Sequence, residues 1–198
     1  MSDRKYHHGN LREALIAHGL ELLEAEGLGA LSLRATAARA GVSHAAPANH
    51  FGHLRGLLTA IAAEGFRRNA AFMQDGLPPR AGRRARLLAA MNGYVRFAEV
   101  HPHLFMLMFD KSRVDFEDPE LGAAASASYG VLRGIASGLD WDHADAPDAQ
   151  LRAEMMLWSL VHGYAQLALA GLFGEQAATG GPRLPIADVM PRFGYRAD

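Results

Sequence analysis

Between Ser32 and Phe51 two short helix-forming runs follow one another, each behind a serine, with Gly41 at the joint. A serine oxygen accepts a backbone N–H that a helix start leaves without a partner, and glycine readily enters the left-handed region that ends a helix. Ser32 therefore predicts a helix over Leu33–Ala40, Gly41 predicts its stop, and Ser43 predicts the cap of a second helix reaching about His50. Two short helices hinged at a glycine suit the helix-turn-helix, whose second helix presents its first residues to base edges in the major groove.

The rest of the chain agrees with an all-α fold. Apolar residues recur at helical spacing, and no strictly alternating run of Val, Ile and Thr argues for a strand. Asn10 with Glu13 reads as a capping box opening a first helix of residues 10–26, with Leu11, Leu15, Leu22 and Leu23 on its core face. A long amphipathic helix is expected over residues 54–74, carried by Leu54, Leu57, Leu58, Ile61, Phe72 and Met73. The segment Asp75–Arg86, with Pro78, Pro79, Gly82 and four arginines, reads as a join. Beyond it, helices are predicted near residues 83–100, after Pro102, near 118–138, near 146–174 and after Pro185, the last shortened or kinked by Pro191. These elements divide into a DNA-binding domain over residues 1–53 and a helical bundle over 54–198, connected by the long helix.

Composition narrows the function classes. At 198 residues the chain has room for one small and one medium domain. With no cysteine it has no disulfide and no thiolate metal site, which fits a cytoplasmic location. No signal-type apolar stretch opens the sequence. Met155–Gly174 carries no charge, but Ser159, His162, Gly163, Tyr164 and Gln166 interrupt it, so burial among helices is preferred to a membrane span. Net charge is -1, yet residues 1–68 hold eight Lys or Arg against six Asp or Glu, a mildly positive module.

Roles follow from side-chain chemistry. Arg34 and Ser43, at helix N-termini, suit phosphate. His44 and Asn49 suit base edges, and the methyls of Ala45 and Ala46 suit a thymine methyl. Lys5 and Tyr6 precede the first helix and suit the backbone or minor groove. His50 and Arg55 are further phosphate candidates, and Thr36 is grouped with the DNA-facing set.

Leu31-Ser32-Leu33-Arg34, Ala38-Arg39-Ala40-Gly41-Val42-Ser43, His50-Phe51 and Leu57-Leu58 together resemble the TetR family of repressors over about residues 5–65. The opening Tyr6–Arg12 and the later Trp158, His162, Gly163 grouping resemble one subgroup of that family. The resemblance implies a homodimer joined through the last two long helices, a palindromic double-stranded DNA operator, and a small-molecule effector that releases a repressor. It also implies an effector site between the helices of the second domain. Phe97, Phe105, Met106, Phe109, Tyr129, Trp158 and His162 are the candidate lining, with Asn92 as a further polar group. Burial in a bundle core accounts equally for many of these aromatics and methionines. Three positions qualify the resemblance: Ala48 replaces an aromatic, Leu54 replaces a lysine, and Pro47, four residues after Ser43, has no N–H for the Ser43 carbonyl, so the first turn of the second helix is expected to be looser or to begin later. Weak or salt-sensitive operator binding is therefore expected, with Arg55, Asn49 or His50 compensating.

Two other functions compete with that of a regulator. An enzyme lacks support, because no nucleophile elbow, phosphate loop or dinucleotide fingerprint is present and the pairs His50/His53 and His101/His103 have no carboxylates at ligand spacing. No cofactor or metal is expected. A packaging protein that binds DNA without sequence preference is the other rival.

Overall fold

The computed structural model describes residues 8–75, 80–175 and 180–196. Its elements are α1 (His8–Glu26), α2 (Leu33–Ala40), α3 (Ala46–Phe51), α4 (Leu54–Gln74), α5 (Arg83–Val100), α6 (Pro102–Met108), α7 (Pro119–Ala136), α8 (Ala149–Leu169) and α9 (Ile186–Val189). Two short strands, β1 (Leu139–Asp140) and β2 (Gly194–Tyr195), complete the order. The chain is all-α apart from that pair. No helix among the described residues is long and apolar enough to cross a membrane.

The chain divides into two compact units, one of Met1–Phe66 with His101–Ala125, the other of Arg67–Val100 with Ser126–Asp198. In the first unit, α1 packs on α2, α3 and α6. Leu15, Leu23, Leu57, Ile61, Leu104, Phe105 and Met108 form its fully buried interior. Each side chain of that size contributes about 1.5–3 kcal/mol when it leaves water. The Glu24 carboxylate accepts the Leu104 N–H at 3.1 Å, so α1 supplies the cap that the N-terminal turn of α6 lacks in its own sequence. Helix α1 begins at His8, two residues before the start expected from Asn10.

In the second unit α5 packs along α8 and against α9. Leu87, Met91, Phe97, Leu132, Leu157, Val161 and Ile186 are buried there. Gly93 lets α5 approach α4, because a Cβ at this position would sit 2.1 Å from the Phe72 carbonyl oxygen. Helix α8 is shorter than the expected 146–174, running from Ala149 to Leu169 with Ala170 as its C-cap, and Gly171 then turns left-handed at φ 68°. Helix α9 is a single turn. Met190, which precedes Pro191, is extended at ψ 136°, as crowding by the proline ring requires. The chain then returns as β2, pairing Tyr195 with Leu139 and Gly194 with Asp140. That pairing was not expected, since two-residue strands leave no alternation to read.

Candidate functional site

Helix α2 begins where the sequence predicts. The Ser32 hydroxyl accepts the Ala35 N–H at 3.1 Å, and the Ser32 carbonyl accepts both the Thr36 N–H and the Thr36 hydroxyl at 2.9 Å. It ends at Gly41, in the left-handed region at φ 66°, with the Val42 N–H returning to the Ala37 carbonyl at 3.0 Å. The helix is braced from the side by Arg39, whose guanidinium lies 3.2 Å from Glu21 and 3.7 Å from Glu26 on α1. Hydrogen bonds from His18 and then from Arg39 hold the Glu21 carboxyl below its ordinary value.

Helix α3 departs from the expectation. Ser43 does not cap it; the N-cap residue is Ala45 and no side chain bonds the first turn. Pro47 explains the difference, because it has no N–H to offer the Ser43 carbonyl. That carbonyl accepts the Ala46 N–H instead, at 3.0 Å, in a tighter turn that delays the helix to Ala46. The Ser43 hydroxyl is thereby left exposed rather than used inside the fold.

The candidate DNA-contacting residues separate by exposure. Arg34, Ser43, His44, Ala45 and Asn49 are exposed and His50 is half-buried. The Arg34 side chain makes no ion pair or hydrogen bond with the described residues. Two expectations are corrected. Thr36 is buried, and its hydroxyl is spent on Ser32 because it lies on the α2 face that packs inward with Ala37. Ala46 is buried under α3 beside Pro47, so its methyl has no route to a thymine. Arg55 is exposed but engaged, donating to the Val114 carbonyl at 3.1 Å with Asp115 at 3.8 Å. Lys5 and Tyr6 lie outside the described residues. A residue the sequence did not single out, Arg12 of α1, ion-pairs with Glu120 of α7 and lies 5.6 Å over the Phe51 ring at the end of α3.

The candidate effector residues fall in both units. In the first, Phe105 is fully buried, with its ring 5.4 Å from that of Phe109, which in turn meets Phe66 at 5.6 Å. Met106 is 52% exposed, because Leu104, Phe105, Leu107 and Met108 occupy the inward faces of α6, and this corrects its assignment to an enclosed lining. In the second unit Phe97 is fully buried against Phe72, at 5.5 Å between rings. Tyr129 donates to the buried Glu154 carboxylate at 2.5 Å and meets Trp158 edge-on at 5.9 Å. Tyr94 and His162 share a hydrogen bond of 2.9 Å; burial lowers the His162 pKa and raises that of Tyr94. Asn92 is exposed. Glu154, held by Tyr129 and by Gln150 at 2.7 Å, was missed by sequence reasoning; the Gln150–Glu154 spacing of four on one helix was its only local signal. Among the described residues no group of three or more His, Asp or Glu is placed to hold a metal.

Comparison with known proteins follows the same lines. Residues 87–181 match the family model of the tetracyclin repressor-like C-terminal domain. A solved protein of unknown function from Rhodococcus sp. RHA1 is 33% identical, covering 94% of this chain and 93% of its own with a TM-score of 0.71. A TetR-like transcriptional regulator from the same organism superimposes at a TM-score of 0.56 with 16% identity, covering 93% of both chains. The TetR-like regulator LfrR of Mycobacterium smegmatis, solved with proflavine, gives a TM-score of 0.58 and 19% identity, covering 90% of this chain and 91% of its own. At those two identities the likeness is one of fold. No curated protein matches the sequence. With its helix-turn-helix and its matching residues 87–181, the chain belongs to the TetR family of transcriptional regulators, DNA-binding proteins rather than enzymes.

Proposed function

We propose that the protein is a homodimeric, cytoplasmic repressor that a small apolar effector releases from a palindromic operator. One observation carries this reading: Arg34, Ser43, His44, Ala45 and Asn49 are all exposed around the Gly41 turn, while α2 is fixed by the Ser32 cap and by the pairing of Arg39 with α1. In this scheme Arg34 and Ser43 take phosphates, with His50 and Arg55 beside them. His44, Ala45 and Asn49 meet base edges. Lys5 and Tyr6 reach the flanking backbone. Residues 1–53 read DNA, and 54–198 carry effector binding and dimerisation.

Dimerisation is supported by α8, where Leu151, Met155 and Trp158 repeat at helical spacing and all stay exposed in the single chain. A soluble monomer seldom leaves such a stripe uncovered. A twofold pair places two α3 helices in successive major grooves roughly 34–36 Å apart, which is why the operator is palindromic. Phe97, Phe105, Phe109, Tyr129, Trp158 and His162 remain the effector candidates. An effector that prefers the wrongly spaced dimer weakens DNA binding by its own differential affinity, typically about 1–3 kcal/mol.

A nuclease footprint of the purified protein on genomic fragments tests this. The expected result is one protected palindrome with half-sites about ten base pairs apart. Uniform protection without a preferred sequence identifies a packaging protein instead.

A further inference from the structure

Helix α3 has six residues and no side-chain cap at its start. A helix that short is unstable by itself, so its position is set by what its buried residues touch. Those residues are Ala46, Pro47 and Phe51, of which Phe51 is the last and the largest. Its backbone is held by the turn into α4. The Phe51 carbonyl accepts the His53 N–H at 2.8 Å, and a Cβ on Gly56 would sit 2.1 Å from the same oxygen.

The Phe51 ring is held by α1, whose Arg12 guanidinium lies 5.6 Å from the ring centroid. A long, partly exposed arginine leaves such a contact readily unless something fixes it. The Glu120 carboxylate, in the first turn of α7, ion-pairs with the same guanidinium. Residues 119–125 belong to the same compact unit as α1, α2 and α3. Three helices therefore meet at one cation: α7 holds Arg12, and Arg12 of α1 holds the end of α3.

We propose that Arg12 and Glu120 are positioning residues for DNA recognition, fixing the end of α3 so that His44, Ala45 and Asn49 meet base edges, without touching DNA themselves. This role rests on the DNA-reading function proposed above, and it extends the reading assembly past residue 53 to the first turn of α7. The sign of its effect sets it apart. A carboxylate on a DNA-binding protein repels phosphate, so charge alone predicts that losing Glu120 tightens binding, whereas positioning predicts that it weakens.

Fluorescence anisotropy of the full chain, on the footprinted duplex and on a shuffled duplex of equal composition, tests these roles in Glu120→Ala, Arg12→Met and Arg12→Lys. Glu120→Ala is expected to weaken binding to the footprinted duplex by about threefold, the scale of a partly exposed ion pair. The shuffled duplex should be bound equally or more tightly. Arg12→Met should lose a similar factor on the footprinted duplex with no change in salt slope, since a lost phosphate contact would make that slope shallower by about one ion. Arg12→Lys keeps a cation over the ring and should recover most of the loss. Thermal melts establish that each variant is folded at the assay temperature. Tighter binding of Glu120→Ala to the footprinted duplex, a shallower salt slope in Arg12→Met, or an unchanged preference in both overturns the positioning role. An equal loss on both duplexes in Glu120→Ala identifies a merely structural contact and overturns it too. A wild type that prefers no duplex sinks the DNA-reading function itself, and these roles with it.

Discussion

The Ser32 hydroxyl accepts the Ala35 N–H at 3.1 Å and so fixes where α2 begins, whereas the hydroxyl of Ser43, its counterpart before α3, caps nothing. The two serines therefore separate stability from recognition. Ser32→Ala should cost about 0.5–2 kcal/mol in urea unfolding, the usual loss for a helix cap. Ser43→Ala should change stability by less than about 0.5 kcal/mol, as exposed sites without partners do. Its expected effect is on DNA affinity. A cap-sized stability loss in Ser43→Ala would show that its hydroxyl works inside the fold.

Gly93 gives a second stability test. Because a Cβ there meets the Phe72 carbonyl oxygen at 2.1 Å, the backbone itself must move to admit alanine. Gly93→Ala should destabilise by roughly 1–3 kcal/mol, the range of overpacked sites, despite alanine's better helix propensity. A raised melting temperature would contradict the close approach of α4 and α5.

His162 makes stability depend on pH. Burial lowers its pKa in the folded chain, so folding favours the neutral ring that shares a hydrogen bond with Tyr94. The unfolded chain, with an ordinary histidine pKa of about 6.5, takes up the proton first. The contribution is therefore present above about pH 6.5 and is lost as pH falls through the lowered folded value. Denaturant midpoints between pH 7.5 and 5 should fall less steeply in His162→Gln than in wild type; identical slopes would remove His162 as the cause.

Arg55, a proposed phosphate contact, donates to the Val114 carbonyl in the segment before α7. If it also stands in for the aromatic and lysine replaced by Ala48 and Leu54, Arg55→Ala should weaken operator binding and make the salt dependence shallower by about one ion. Gel shifts over a salt series measure both. Ordinary nanomolar affinity in the variant would end the compensating role.

Much of the fold was legible because its punctuation is local. Ser32, Gly41 and Pro102 each act within a turn of themselves, and the helix limits at α2, α4 and α5 follow. What the sequence left hidden depends on distant partners: Glu24 capping α6 across 80 residues, Arg12 meeting Glu120 across 108, and Tyr129 holding Glu154 across 25. The same limit affected the site. Thr36 and Ala46 have suitable chemistry and the right neighbourhood, but the phase of a short helix, set by what packs behind it, decides whether a side chain faces DNA or core.

The most direct test is fluorescence anisotropy on the footprinted duplex, comparing wild type with the triple variant Arg34→Ala, His44→Ala, Asn49→Ala. Each side chain is exposed, so melting temperature should hardly change. Specific affinity should fall by at least roughly tenfold, since each good base contact contributes about 1–3 kcal/mol of discrimination. Undiminished affinity in a folded triple variant would contradict recognition through the exposed residues around Gly41.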